Sequence, residues 1–316
     1  MDAQDRFERR PSRRLSTKSP RIARRRVDGV LLLDKPTGVT SNAALQIAKR
    51  LYRAEKAGHT GTLDPLASGL LPLCFGEATK FAQRLLDAPK AYTATVRFGA
   101  TTTTADAEGD VLEWRDVRVA REALTDVLRR FVGDQDQLPP MYSALKFEGR
   151  AYYEHARAGR EVPREPRRIH VAAIDLLDWS SPDAVVSVRC SKGTYIRVLA
   201  EDIGEAMGCG AHLAALRRTG TGGFTIDQAF GVDKLEAMDV GERDALLLPV
   251  ESLIAGMPTV EVGADDAVRF RRGQRVQVAV QTAGECAVFS GRDFLGIGDV
   301  ADGVASPRRV VTQRPG

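Results

Sequence analysis

Apolar residues recur along most of the chain in two spacings, one typical of strands and one typical of helices. Residues 29–34 are almost entirely apolar, which predicts a short buried strand. Residues 41–52 follow the 3.6-residue period of a helix, which Thr40 or Ser41 can cap. The same criteria predict helices over 121–131 and 195–207, and strands over 92–98 and 185–190.

The pattern changes at about residue 251. Beyond it, short Val-rich alternating runs at 276–280, 287–289 and 294–300 are separated by Gly and Asp, which predicts a small β domain. A chain of 316 residues is also longer than one compact core usually allows. We therefore expect a larger domain over 28–250 and a small one over 251–316.

The amino-terminal 27 residues differ from both domains. Arg, Ser and Pro dominate there without any period, which predicts a disordered basic arm. Residues 1–26 contain ten Lys or Arg and three Asp or Glu, whereas the other 290 contain 36 and 39. Because the rest of the chain is not basic overall, binding to nucleic acid would need local patches, with or without the arm. The alternative is that the arm is only a solvated tail.

Composition also excludes several classes of protein. The four cysteines form no C-x-x-C pair, and with the four histidines they give no zinc pattern, so no metal is expected. Few cysteines in a long chain suit a reducing cytoplasm. The chain has no apolar run of about 18 residues and no secretory signal, so we expect a cytoplasmic protein that does not enter a membrane.

The strongest candidate for chemistry is the glycine-rich stretch at 58–69, GHTGTLDPLASG. Its glycines permit tight turns and close approach of a ligand to the backbone. Pro65 restricts Asp64 to an extended conformation, so the carboxylate would be held in a stiffened loop. The alternative is a polar turn in which Asp64 bonds only to its own backbone. Spacing alone does not decide between them.

A second unusual segment lies at 141–170. It contains seven Lys or Arg against four Asp or Glu and three of the six tyrosines, with weak periodicity. Arginines mixed with aromatic rings suit phosphate contacts and stacking on unpaired bases. The alternative is a solvated loop with a chance excess of charge.

Five stretches, in order, resemble the motifs of the TruB family of tRNA pseudouridine synthases. The resemblance covers roughly residues 28–224, with a weaker match of Pro307 to Val311 to the last strand of a PUA-type RNA-binding domain. The stretches are GVLLLDKPTGVTSN at 29–42, GHTGTLDPLASGLLPLCFGEATKF at 58–81, PPMYSALKFEGRAYYEHARAGREVPRE at 139–165, CSKGTYIRVLAEDIG at 190–204 and GCGAHLAALRRTGTGGF at 208–224.

The resemblance implies an α+β fold, with a mixed, largely antiparallel sheet flanked by helices and a small carboxy-terminal β-barrel of PUA type. It implies isomerisation of one uridine, at position 55 in the T-arm loop of tRNA, to pseudouridine. The base would be flipped out of the RNA, and no cofactor is needed. Residues 141–170 would form a mobile insertion that closes over the RNA. Neither a membrane nor a protein partner is implied, and we expect a monomer.

The resemblance also assigns catalytic residues. Asp64 occupies the position of the catalytic aspartate, and Arg197 that of the arginine that pairs with it. Tyr92 stands where the family has a tyrosine that stacks on the target base. Tyr92 is also a candidate for removing the C5 proton, although an ordinary tyrosine, with a pKa of about 10, is a poor acceptor.

The remaining assignments concern binding. Tyr195 and Leu216 would line the base pocket, and His59 would enter the space that the flipped base leaves. Lys35 and Pro36 would buttress the pocket. Taken singly, each of these residues also fits a purely structural role.

Two rival functions stay open at this point. One is a tRNA-binding folding chaperone without catalysis, against which the joint presence of four residues argues, namely Asp64, Tyr92, Tyr195 and Arg197. The other is a hydrolase that uses Asp64 as nucleophile, which would require a water-activating partner. No constellation of His and Glu beside the motif suggests such a partner.

Overall fold

The computed structural model describes residues 23–279 and 283–312. Most of the predicted basic arm, residues 1–22, therefore lies outside the described residues. Within the described ranges, no helix combines the length and apolar character needed to cross a bilayer.

The strands, in chain order, are β1 (Gly29–Lys35), β2 (Ala57–His59), β3 (Ala67–Phe75), β4 (Lys90–Phe98), β5 (Ala100–Thr102), β6 (Val111–Trp114), β7 (Gly133–Gln137), β8 (Lys146–Phe147), β9 (Arg150–Ala151), β10 (Arg167–Ser180), β11 (Asp183–Cys190), β12 (Ala211–Thr221), β13 (Phe224–Thr225), β14 (Phe230–Gly231), β15 (Thr259–Glu261), β16 (Val276–Gln277), β17 (Gly284–Ser290), β18 (Asp293–Ala301) and β19 (Val304–Val310).

The α-helices are α1 (Ser41–Leu51), α2 (Gln83–Asp87), α3 (Arg121–Arg130), α4 (Tyr152–Arg157), α5 (Ile196–Ala206), α6 (Val232–Ala237), α7 (Val240–Asp244) and α8 (Ala264–Arg271). Short 3₁₀ helices occupy Gly76–Lys80, Ile226–Gln228 and Val250–Ile254. The predicted cap of α1 is Thr40, whose side chain accepts a hydrogen bond from the Ala43 amide.

A ten-stranded sheet organises the larger domain, with the order β14-β1-β3-β12-β4-β11-β10-β7, to which β2 is added by pairing with β3 and β13 by pairing with β12. Its pairs are antiparallel except β1 with β14 and β12 with β3. The prediction of a mixed, largely antiparallel sheet flanked by helices is confirmed.

The helices cover one face of this sheet in two groups. At one end α1 and α6 pack on β1 and β3, and toward the other end α3 and α5 pack on β4, β11 and β10. Tyr92 and Leu216 pack against both of the buried clusters that form beneath these two groups. The gap between α1 and α5 therefore lies over the middle of the sheet, where β3, β12 and β4 run side by side.

The opposite face of β1 and β3 packs against the carboxy-terminal domain. Val30 and Leu32 share a buried cluster with Phe294 and Ile297. The domain itself is a curled five-stranded sheet with the order β15-β17-β18-β19-β16 and its own core around Phe270, which agrees with the expected PUA-like fold. The predicted strand at 276–280 is only partly present, since β16 ends at Gln277 and residue 280 lies outside the described residues.

Three long strands were not predicted from the sequence. β3 follows directly from the glycine-rich loop, and β12 carries the paired arginines Arg217 and Arg218. β10 begins at Arg167, inside the segment expected to be an insertion, and pairs with β7 over 167–171. The last four residues of that segment, 167–170, therefore belong to the main sheet.

Candidate active site

The loop between β2 and β3, which carries Asp64, is bonded on both flanks. The hydroxyl of Ser41, the first residue of α1, accepts from the Leu63 amide at 2.7 Å and donates to the Leu63 carbonyl at 3.0 Å. The amide of Gly38 donates to the Pro65 carbonyl at 2.8 Å. Hydrogen bonds to the backbone of both of its neighbours thus hold Asp64 in place, which favours the stiffened loop over the polar turn that the sequence also allowed.

Gly69, near the start of β3, allows the loop to lie directly on β12. Its φ of +100° is strained for other residues, and a Cβ there would sit 2.3 Å from the carbonyl oxygen of Arg218. Only glycine accommodates both constraints, because any other side chain would push the two strands apart.

Asp64 faces a buried arginine from α5. The guanidinium of Arg197 lies 3.2 Å from the Asp64 carboxylate and 3.3 Å from that of Asp106. It also donates to the Tyr142 carbonyl at 2.7 Å. The exposed fractions of the Arg197 and Asp106 side chains are 7% and 3%, whereas that of Asp64 is 44%. One buried cation therefore holds two carboxylates, and Asp64 is the one that is open to a ligand.

The charges in this cluster have opposing effects on the acidity of Asp64. Burial raises the pKa of its carboxyl above the ordinary value, Arg197 lowers it, and Asp106 raises it again. The net direction is upward, because burial has the largest effect and the positive charge of Arg197, which also faces Asp106, offsets only part of it. Arg197 favours the ionised form of Asp64 without fully offsetting its burial.

A cavity of about 250 Å³ opens beside the Asp64–Arg197 pair. Tyr92 from β4, Leu216 from β12 and Tyr195 at the start of α5 line it together with both charged residues. Five of the predicted site residues, far apart in sequence, are thus brought together around a space suited to one pyrimidine ring. Burial raises the pKa of the Tyr92 and Tyr195 hydroxyls, so both are neutral near pH 7.

His59 lies elsewhere, on a second cavity of about 510 Å³ that shares Asp64 and Arg197 with the first. Its Nδ1 is buried without a hydrogen-bond partner in the described part of the chain. Burial and the nearby Arg218 lower the pKa of the imidazole, so it is neutral near pH 7. Tyr153 and Arg157 of the 141–170 segment line the same cavity.

Lys35 and Pro36 line neither cavity. The fully buried ammonium of Lys35 donates to the Pro36 carbonyl at 2.8 Å and to that of Val39 at 2.6 Å. Burial lowers the pKa of Lys35 to about 8. These bonds close the turn that contains Gly38, and Gly38 in turn holds Pro65 next to Asp64.

Sequence reasoning missed Arg218, which is 1% exposed beneath the first cavity. Its guanidinium donates to the Leu70 carbonyl at 2.7 Å and the Gly61 carbonyl at 3.3 Å, and its positive charge partly offsets the effect of burial on the pKa of Tyr92. Arg218 therefore ties the two ends of the Asp64 loop together, in the same cavity wall as Tyr92. A strand prediction over β12 would have found it, since residues two apart on a strand share a face and Leu216 faces the cavity.

Asp106 and Gln137 were also missed. The Asp106 carboxylate accepts from the Thr104 hydroxyl at 2.5 Å and the Glu108 amide at 3.1 Å, in addition to Arg197. The side-chain amide of Gln137 makes two bonds to the backbone of Tyr195, of 2.8 and 3.1 Å. Both residues lie in polar stretches without any period, so no sequence signal distinguishes them. Over 23–279 and 283–312, no group of three or more His, Cys, Asp or Glu could hold a metal ion.

Three sequence families match consecutive parts of the chain. TruB family pseudouridylate synthase (N terminal domain) matches residues 49–196, and tRNA pseudouridylate synthase B C-terminal domain matches 197–255. Pseudouridine synthase II TruB, C-terminal, matches 258–311.

Whole proteins match over nearly their full length. A tRNA pseudouridine synthase B from Burkholderia mallei is 55% identical over 300 residues, which cover 92% of this chain and 96% of that protein. One from Thiobacillus denitrificans is 54% identical over 92% of this chain and 97% of its own.

Solved structures with the same fold are more distant in sequence. A Cbf5-Nop10-Gar1 complex has a chain that is 29% identical, with a TM-score of 0.65 over 86% of this chain and 78% of its own. An H/ACA RNP bound to a substrate RNA containing 2'-deoxyuridine has one that is 26% identical, with a TM-score of 0.68 over 90% and 86%.

Proposed function

Because the chain belongs to the TruB family of pseudouridylate synthases, we propose that it isomerises uridine to pseudouridine in tRNA, at position 55 of the T-arm loop. The observation that carries the proposal is the ion pair of Asp64 with Arg197 at the edge of a cavity lined by two tyrosines and a leucine. The position within tRNA follows from the family resemblance of the motifs.

The reaction breaks the C1′–N1 bond of uridine and forms a C1′–C5 bond. The C5 hydrogen leaves as a proton and N1 gains one, so neither redox change nor net water is involved. The chemistry needs a nucleophile that holds an intermediate while the base rotates, and a carboxylate can serve because aspartate forms covalent intermediates. Asp64 is the more open of the two carboxylates that Arg197 contacts, and Arg197 orients it.

A uridine within a folded loop must leave its stack before the enzyme reaches it. Flipping costs roughly a few kcal/mol, which stacking on an aromatic face offsets. We assign that face to Tyr92, with Tyr195 and Leu216 as the rest of the pocket wall. His59, on the second cavity, would occupy the space that the base has left.

Residues 141–170 would close over the bound RNA. Tyr142 already contributes its carbonyl to Arg197, and Ser143 and Ala144 line both cavities. Movement of this segment would therefore open or cover Asp64 directly. We further propose that the protein acts as a monomer in the cytoplasm, and sedimentation of the free chain at a mass of one copy would support the first point.

Release of tritium from C5-labelled uridine in unmodified tRNA tests the function. Isomerisation must release the C5 hydrogen to solvent, whereas a chaperone that only binds tRNA cannot. We expect release of one equivalent per tRNA by the wild-type chain. Tight tRNA binding with no release would refute catalysis and favour the chaperone.

The pH dependence of the reaction should reflect the surroundings of Asp64. If the ionised carboxylate is required, kcat/KM falls as pH drops through a pKa that burial and Asp106 hold above the ordinary value of about 3.9. Asp106→Asn removes the negative charge that raises this pKa, so the acid limb should move to lower pH. Tritium release measured from about pH 4 to 8 checks this, and an unmoved limb would contradict the assignment.

A further inference from the structure

A small basic concavity lies at the carboxy-terminal end of α1, outside both cavities of the candidate active site. Its volume is about 170 Å³, and it is lined by Arg24, Gln46, Lys49, Arg50, Arg53 and Ala54. No carboxylate is among these residues. We propose that this concavity, here called the α1 basic site, binds phosphodiester groups of the RNA substrate. The inference rests on the proposed function and extends its binding surface.

Charge pairing supports an external anion. Within the described ranges, none of the four cations of the α1 basic site makes an ion pair, whereas their neighbour Arg25 is paired with Asp244. Cations at the end of a helix also complement its dipole, which accounts for Lys49 and Arg50. It does not account for Arg24 and Arg53, which lie outside the helix and enlarge the same positive field.

The site is connected to the candidate active site by one face of α1. The exposed side chains of Asn42, Gln46 and Arg50 recur every four residues, and Arg53 follows just beyond the helix. Asn42 lines the second cavity, beside Asp64. Since a helix rises 1.5 Å per residue, the stripe is about 16 Å long. Polar and basic groups along one helix face are the electrostatic footprint of a nucleic-acid backbone.

Backbone hydrogen bonds place Arg24 in the α1 basic site. The Arg25 amide donates to the Arg53 carbonyl at 2.7 Å, and the Glu55 amide donates to the Arg25 carbonyl at 3.1 Å. These bonds hold Arg24 beside Arg53, so that cations from two separate segments of the chain share one concavity. A row of cations suits an extended polyanion better than a single free phosphate ion.

Salt dependence of tRNA binding tests the α1 basic site. We would compare the wild-type chain with Arg50→Gln/Arg53→Gln, using fluorescence anisotropy of unmodified tRNA at about 50 to 300 mM salt. Each phosphate contact contributes roughly 0.7 to 0.9 to the slope of log affinity against log salt, so the slope should fall by about 1 to 2. At about 100 mM salt the Kd should rise by roughly tenfold, while kcat at saturating tRNA stays unchanged.

The matched control is Arg121→Gln/Arg130→Gln, which removes two exposed arginines from α3, the helix that packs on β10 toward the far end of the sheet. An unchanged slope for Arg50→Gln/Arg53→Gln, or an equal change in the control, would overturn the proposal. Suppression of tRNA binding by a few millimolar inorganic phosphate, with no change in slope, would also overturn it and indicate a free anion site. The proposed function is tested separately from the α1 basic site. It fails if the wild-type chain releases no tritium, whatever the salt dependence of tRNA binding.

Discussion

Replacing Asp64 by asparagine is expected to abolish tritium release from C5-labelled tRNA, with a loss of at least about 10³-fold. The amide preserves size and most contacts of the loop, but it cannot form the covalent intermediate that a carboxylate forms. Binding should change little, because most of the affinity for RNA comes from phosphate contacts elsewhere. We expect the Kd for tRNA to rise by less than about tenfold.

Asp183→Asn is the matched control, since Asp183 pairs with Arg97 at the far end of β4 and lies on neither cavity. It should retain turnover close to that of the wild-type chain. Comparable tritium release by Asp64→Asn would remove Asp64 from the nucleophile's role. A large loss of tRNA affinity in the same variant would show instead that the carboxylate shapes the binding surface.

Replacing Arg197 by methionine is expected to damage both stability and turnover. The substitution leaves Asp106 buried without its cation, and breaking a buried pair in this way costs about 3–5 kcal/mol. For a protein of this size the melting temperature should fall by about 5–15 °C. Tritium release should fall by at least about 100-fold, because Asp64 loses the group that orients it.

A second substitution separates the two effects. In Arg197→Met/Asp106→Asn the buried carboxylate is neutralised together with the arginine, so much of the lost thermal stability should return. Turnover should stay low, since Asp64 still lacks its partner. Calorimetry and tritium release on both variants check this, and recovery of turnover in the double variant would show that Arg197 matters only for folding.

Much of the fold could be anticipated because it follows from periodicity. The strand at β1, the helix α1 with its Thr40 cap, and the helix α5 all occur within two residues of their predicted bounds. β3 and β12 could not be assigned so readily. β3 follows a glycine-rich motif that is typical of a loop. β12 contains two adjacent arginines, which interrupt the alternation of apolar and polar residues expected of a strand.

The site likewise contains residues that the sequence could predict and residues that it could not. The family resemblance assigned five residues to one site, and the structure places all five around one cavity. They are Asp64, Tyr92, Tyr195, Arg197 and Leu216. Asp106 and Arg218 could not be predicted as part of the site, because their roles depend on residues that are close to them only in the folded structure. A buried charged side chain looks like an ordinary surface charge in a sequence, and only its depth and its acceptors reveal its position.

The two faces of strand β1 belong to two different hydrophobic cores. Its odd-numbered leucines, Leu31 and Leu33, belong to the core beneath α1, and its even-numbered Val30 and Leu32 belong to the buried cluster that also contains Phe294 and Ile297 of the carboxy-terminal domain. Removing that domain would expose the apolar face of β1 that carries Val30 and Leu32. The same strand leads into the Lys35 turn, and that turn is bonded to the residue next to Asp64. The carboxy-terminal domain thus stabilises the larger domain, and we expect the two domains to unfold together in a single thermal transition.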